Sequence, residues 1–320
     1  MAARTWGDLL DALKATTTAR DWDRGTEILA QVQREAAHQG DPRTLASAAF
    51  HAGMFHDARG AMAEAEAAFA EAVSWDERAW GPTHESVADA LRSLGMVQAK
   101  RGTLEAALAS FERAADIHHQ AGDAVREASV LRTAGNAFRL AGDLDEAFGL
   151  FAEARAVLKG RTDMPSRLER AHALLGASEC RRQAKDADEA LKLAYLATQD
   201  GVGADDALQS MLARAWLAIA LLLRRAFAAE AAASLALEMA RTLSHEPEIQ
   251  RAIEREVRTP EAPIPDGVVA HLHASGAARV FHREHGAVTA DAAGAAVGDR
   301  VTLAREADAW TIRTSASPRR

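Results

Sequence analysis

The chain has 320 residues, of which 48% are apolar but only 5% aromatic, and a formal net charge of −8. That charge argues against non-specific nucleic-acid binding over the whole surface, and the stretch Met1–Lys14 has no apolar run long enough for a signal peptide or a membrane span. A single cysteine, Cys180, rules out an internal disulfide and a multi-cysteine zinc site, so the expectation is a reduced, cytoplasmic protein with no cofactor and no nucleic-acid or membrane partner.

Taken in chain order, Trp6–Gly40 reads as a helix pair, with a weak form of a pattern around Asp21–Val32 that sharpens downstream. The next unit carries Gly53, Gly60, Ala65, Phe69 and Ala72. The third repeats it 42 residues on, as Gly95, Gly102, Ala107, Phe111 and Ala114. The fourth follows after 40 more, as Gly135, Gly142, Ala147, Phe151 and Ala154. A fifth has Ser178 in the glycine position, Asp186–Ala190 in place of Asp143–Ala147, and Ala194 for phenylalanine; a weaker sixth lies around Ala231 and Leu235.

These spacings have a physical cause. Glycine inside a helix costs about 1 kcal/mol against alanine, so its recurrence points to a neighbouring helix too close for a side chain. An alanine four residues before each phenylalanine puts both on one helix face. Asp143 with Glu146, and Asp186 with Glu189, have the spacing of a capping box.

The small residue, Ala-x3-Phe and Ala marks on helix pairs resemble the tetratricopeptide repeat, whose unit is about 34 residues. The period of 40 to 43 here, with Gly81-Pro-Thr-His-Glu-Ser-Val-Ala88 leading into a helix, resembles the extended repeats of kinesin light chains. The resemblance covers residues 6–242 and is specific in the three central units. It departs in the first and last, where the glycine is missing and Leu29 or Leu235 stands for phenylalanine, as terminal capping units do. It implies an all-α fold, a right-handed α-solenoid of about six helix-turn-helix repeats, used for protein–protein interaction.

The expected division is a helical-repeat domain over 1–258, a proline-rich linker over 259–266, a small β-rich module over 267–314 and a disordered tail over 315–320. Three of the eight prolines, Pro260, Pro263 and Pro265, mark the linker. Beyond it the period becomes alternating, with strands expected at Val268–His273, Arg279–His282, Arg300–Arg305 and Trp310–Thr314, forming a meander or partial barrel.

Candidate binding residues sit on the first helix of each pair. Arg132, Asn136 and Arg139 share a face; Arg92 is the equivalent of Arg132 one unit earlier, Lys100 lies at the far end of that helix, and Arg182 aligns with Arg139 in the following unit. Stacked, they would form a cationic stripe suited to carboxylates, with an asparagine amide able to pair both ways with a peptide backbone. The resemblance implies the same use, since tetratricopeptide grooves hold peptides through inward asparagine and basic side chains. The alternative is that these arginines pair with Glu127, Glu179 or Asp89 across adjacent helices. Phe50, Met54 and Trp216 fit the core or an apolar part of the groove.

Four of the twelve histidines, His271, His273, His282 and His285, cluster in the β-rich module; a transition-metal site is conceivable there, and a polar sheet face is the plainer account. His118 and His119 read as residues near a helix end, where a partial positive charge is favourable, and Cys180 as a buried structural thiol. No nucleophile elbow, metal-hydrolase motif or phosphate loop occurs, so the chain does not read as an enzyme. The leading expectation is a scaffold or adaptor that binds an acidic peptide or protein segment. Its alternatives are a metal- or ligand-binding β module displayed on a repeat array, or a peptide-sensing regulatory receptor; a homo-oligomer is compatible with each.

Overall fold

In the computed structural model the described residues are 5–201, residues 207, 210–212, 214, 215, 218 and 219, and the segments 267–272, 277–282, 286–291, 300–306 and 309–316. They form two compact units, Met1–Val157 and Leu158–Arg320. The division falls within the helical array, whereas the expected linker 259–266 lies outside the described residues, as does the weak sixth repeat.

The first unit holds eight helices: α1 (Trp6–Ala19), α2 (Trp22–Gln39), α3 (Pro42–Arg59), α4 (Met62–Trp80), α5 (Glu85–Lys100), α6 (Leu104–Gln120), α7 (Ala124–Ala141) and α8 (Leu144–Val157). Each odd-numbered helix packs against the even one after it, and each pair packs against the next, so the unit is an α-solenoid of helix-turn-helix repeats.

The glycine–phenylalanine pattern builds that packing. A Cβ placed on Gly53 would lie 2.7 Å from the ring of Phe69, on Gly95 3.0 Å from Phe111, and on Gly135 2.9 Å from Phe151. Each ring therefore occupies the space its own unit's glycine leaves, and Phe111 and Phe151 are fully buried. Burying such a ring contributes about 1.5–3 kcal/mol, which outweighs the helix cost of the glycine. Ala65, Ala107 and Ala147, one turn before each ring, have no exposed surface and let the paired helices approach. The first repeat departs in a compensated way. It has Gly25 where later units have alanine, and Phe55 of the following pair fills that gap, 2.5 Å from where a Cβ would stand.

Helix starts are capped by aspartates that accept the backbone N–H three residues on: Asp41 from Thr44 at 3.1 Å, Asp123 from Arg126 at 3.0 Å and Asp186 from Glu189 at 3.2 Å. Asp143 does the same for Glu146 at 3.3 Å. The fully reciprocal box is found at Thr5 and Asp8, before α1.

The second unit contains the helix pair α9 (Met164–Gln183) and α10 (Ala187–Asp200). Here Ser178 replaces the glycine, and its buried hydroxyl donates to the carbonyl of Ala190 at 2.7 Å. Among its described residues are five strands, β1 (Gly267–Leu272), β2 (Ala277–His282), β3 (Gly286–Asp291), β4 (Arg300–Glu306) and β5 (Ala309–Ala316), closed into a barrel in the order β1-β2-β3-β5-β4. β3 and β5 are parallel and the other pairs antiparallel, a Greek-key arrangement around Val280, Val288, Ala290 and Val301. Two expectations change. β3 is an additional strand, held by pairing with β2 along its whole length. β5 runs through Ser315 and Ala316, two residues into the expected tail, because they pair with Val301 and Arg300.

Candidate functional site

α5 and α7 are the first helices of adjacent repeats, and their seam holds a cleft of about 440 Å3. Lys100 of α5 and Arg132 and Asn136 of α7 line it, together with Met96 and Leu140. Of the candidate binding residues, these three are brought together. Leu140 is 76% exposed and Met96 36%, so the cleft presents a large apolar surface to solvent. Phasing explains this floor: Met54, Met96 and Asn136 each directly follow the helix glycine, and so occupy one position in three successive repeats. The place of Met96 in the cleft is readable from that register in the sequence. Met54 is likewise exposed, at 48%, whereas Phe50 lies edge-on to Phe69 at 5.5 Å and serves packing. Trp216 lies outside the described residues.

The cations are differently engaged. Lys100 reaches across to α3 and is held by both carboxylate oxygens of Asp57, at 2.6 and 2.7 Å. Arg132 donates to the hydroxyl of Ser129 at 3.3 Å. The amide of Asn136 is half-buried and makes no hydrogen bond among the described residues. Arg139 is half-buried, lines neither this cleft nor the one below, and keeps a buried Nε without a hydrogen bond. Arg182, in the other compact unit, pairs with Glu179 three residues earlier, its Nε 2.7 Å from the carboxylate. Arg92 pairs with Asp89 at 3.3 Å. Acid partners thus exist for Arg92 and Arg182, from their own helices rather than adjacent ones.

Arg92 instead lines a smaller cavity of about 200 Å3 toward the N-terminal ends of the same two helices, with Glu85, Asp89, His118, Arg126 and Ser129. His118 and His119 both lie in the last turn of α6, as their helix-end reading has it; His118 is 4% exposed, whereas His119 is exposed and meets Glu127 at 3.2 Å. Burial pushes the His118 imidazole below its ordinary value, with Asp89 opposing. Asp76 is buried too, and its carboxyl is pushed up by burial, with His84 opposing and Asp89 reinforcing. Glu85 is held below the usual carboxylate range by its hydrogen bond from Arg126.

In the barrel, His271 is registered opposite Arg279 and His282 opposite Gly267, so the two are not cross-strand neighbours; His273 and His285 lie outside the described residues. Among the described residues no three or more His, Cys, Asp or Glu converge on a point that could hold a metal, and no helix is long and apolar enough to cross a membrane. Cys180 is buried, at 1% exposure.

A family model described as tetratricopeptide repeat matches residues 44–120 and again 86–160. No curated protein sequence matches the chain. Among solved structures, the apo form of RapI aligns with a TM-score of 0.52 at 10% identity, over 78% of this chain and 98% of that one. The apo form of the quorum sensor NprR from B. thuringiensis gives 0.51 at 10% identity, over 77% and 67%. BtubC (BKLC) from P. vanneervenii gives 0.49 at 15% identity, over 79% and 95%. At such identities the likeness is one of fold.

Proposed function

The chain is a tetratricopeptide-repeat protein, and from that premise we propose that it is an interaction module whose α5/α7 cleft holds an extended segment of another protein or a peptide. The observation that carries the reading is the meeting, in one cleft, of an unpartnered amide at Asn136 with an exposed apolar floor at Met96 and Leu140. Asn136 can donate to and accept from a peptide backbone without reading its sequence. Met96 and Leu140 offer an adaptable surface for one apolar side chain, methionine being unbranched and polarisable. Arg132, beside them, favours a carboxylate on the ligand, so the preferred segment carries an acidic residue next to an apolar anchor. NprR is described as a quorum sensor, and a regulatory receptor is one form of the same reading. No reaction is assigned to the chain, and its proposed location is the cytoplasm, where a lone buried cysteine stays reduced.

The test is selection of a displayed random-peptide library on the full-length protein. Enrichment of segments with the apolar–acidic pairing is expected. Each should lose about tenfold or more in affinity on Asn136→Ala or Leu140→Asp, the scale of a lost buried hydrogen bond or anchor. Peptides that bind both variants as tightly as the wild type would remove the cleft from the reading.

A further inference from the structure

The smaller cavity at the N-terminal end of the α5/α7 seam is not needed by the peptide site and has a chemistry of its own. Glu85, Asp89 and Arg92 of α5, Arg126 and Ser129 of α7, and His118 at the end of α6 line it. His118 lies seven residues beyond Phe111, the position held by Ala36, Asp76 and Leu158 in other repeats, each buried. In two of those three repeats an apolar side chain satisfies the packing at this point. An imidazole stands here instead, 96% buried, facing the cavity, and without a hydrogen bond among the described residues. Its ring nitrogens, unlike Nδ1 of His56, are not sealed from solvent, so they are open to whatever occupies the cavity, water or ligand.

The charges around it define that partner. Two guanidinium groups and two carboxylates face one another across the opening, Arg92 paired with Asp89 at 3.3 Å and Arg126 with Glu85, while Arg126 is also held from outside the lining by Asp123 at 3.4 Å. All four side chains are more than a third exposed, and exposed pairs of this kind are weak enough to exchange partners. A simple anion would displace a carboxylate from its arginine and leave it stranded, and a simple cation would strand a guanidinium. A zwitterion strands neither. Its carboxylate takes the arginine forks while its ammonium takes Glu85 and Asp89. The Ser129 hydroxyl and the His118 ring remain for further hydrogen bonds, and Val130 offers an apolar wall. The cavity of 200 Å3 equals the liquid volume of about seven waters, which suits a ligand with few heavy atoms.

We propose that this cavity binds a free α-amino acid with a small side chain, its carboxylate on Arg92 and Arg126, its ammonium on Glu85 and Asp89, and its polar edge on His118 and Ser129. The site lies beside the peptide cleft, since Ser129, which lines the cavity, accepts a hydrogen bond from Arg132, which lines the cleft. It does not depend on the cleft being a peptide site.

The test is isothermal titration of the full-length protein with each of the small α-amino acids, and with acetate, methylammonium, N-acetylalanine and alaninamide as single-charge controls. At least one amino acid should bind saturably, and each control at least tenfold more weakly, about one decade of affinity. His118→Leu copies the residue at the equivalent position of the next repeat, and it and Ser129→Ala should each weaken binding by about that factor. Arg126→Gln should abolish it. Three results overturn the proposal: no heat from any amino acid, acetate binding as tightly as its amino-acid counterpart, or amino-acid binding unaltered by His118→Leu and Arg126→Gln.

Discussion

Two glycines in one helix pair separate packing from propensity. Gly135 and Gly149 both lie inside helices, but a Cβ at Gly135 would meet Phe151 at 2.9 Å, whereas nothing lies within 4 Å of one at Gly149. Alanine gains about 1 kcal/mol of helix propensity at either site. Overpacking at Gly135 costs about 1–3 kcal/mol, because a fully buried ring has nowhere to move. Urea unfolding should therefore show Gly149→Ala stabilised by up to about 1 kcal/mol and Gly135→Ala destabilised by up to about 2 kcal/mol. Gly53→Ala, at 2.7 Å from Phe69, should be worse than Gly95→Ala, at 3.0 Å from Phe111. Equal and positive effects at Gly135 and Gly149 would show that the glycines are not there for the rings. This packing was legible in the sequence because the constraint is local to one helix pair and recurs. Gly25 was not, because its partner Phe55 lies on the next pair and occurs only once.

At the scale of the element, the second half of each repeat has one buried position seven residues after the ring, or after Leu29 in the first: Ala36, Asp76, His118 and, just past the end of α8, Leu158. The two middle repeats place ionisable groups there, with opposite consequences for stability. His118 is held below its ordinary value of 6.5 by burial. Its neutral form is favoured in the fold, so its contribution is whole above pH 6.5 and is lost as pH falls from there toward the folded value. His56 on α3, lowered mainly by burial, adds to the same loss. Asp76 is raised from 3.8, so its contribution is whole at low pH and declines as pH rises from 3.8 to its folded value. Between pH 7.5 and 5.5 the melting temperature should therefore fall, and His118→Leu should flatten that fall while raising the melting temperature at the acid end. An unchanged slope would mean that His118 is not buried against charge in solution. The barrel is the counter-example for legibility. β3 is Gly-Ala-Val-Thr-Ala-Asp, short and low in strand-forming residues, and it exists because β2 and β5 supply its partners.

Over the whole molecule, the question is whether charge or apolar surface governs what the chain binds. Its net charge is −8, which repels an acidic ligand at long range. The cations expected to overcome this are partly engaged: Lys100 by Asp57, Arg92 by Asp89, Arg182 by Glu179. The pairs within one helix were readable at three-residue spacing, while that of Lys100 crosses from one repeat to another and needed the fold. Local attraction at Arg132 and global repulsion therefore oppose each other, and added salt screens both. The dissociation constant of an acidic–apolar peptide should change by less than about threefold between 50 and 300 mM NaCl, whereas a cationic stripe acting alone would lose affinity steeply. Leu140→Asp, which spoils the apolar floor and adds one more negative charge, should cost more than about tenfold at both salt concentrations. If the loss on Leu140→Asp largely vanished at 300 mM, the substitution would be acting through its charge, and the acidic preference would rest on electrostatics rather than on the Met96 and Leu140 surface.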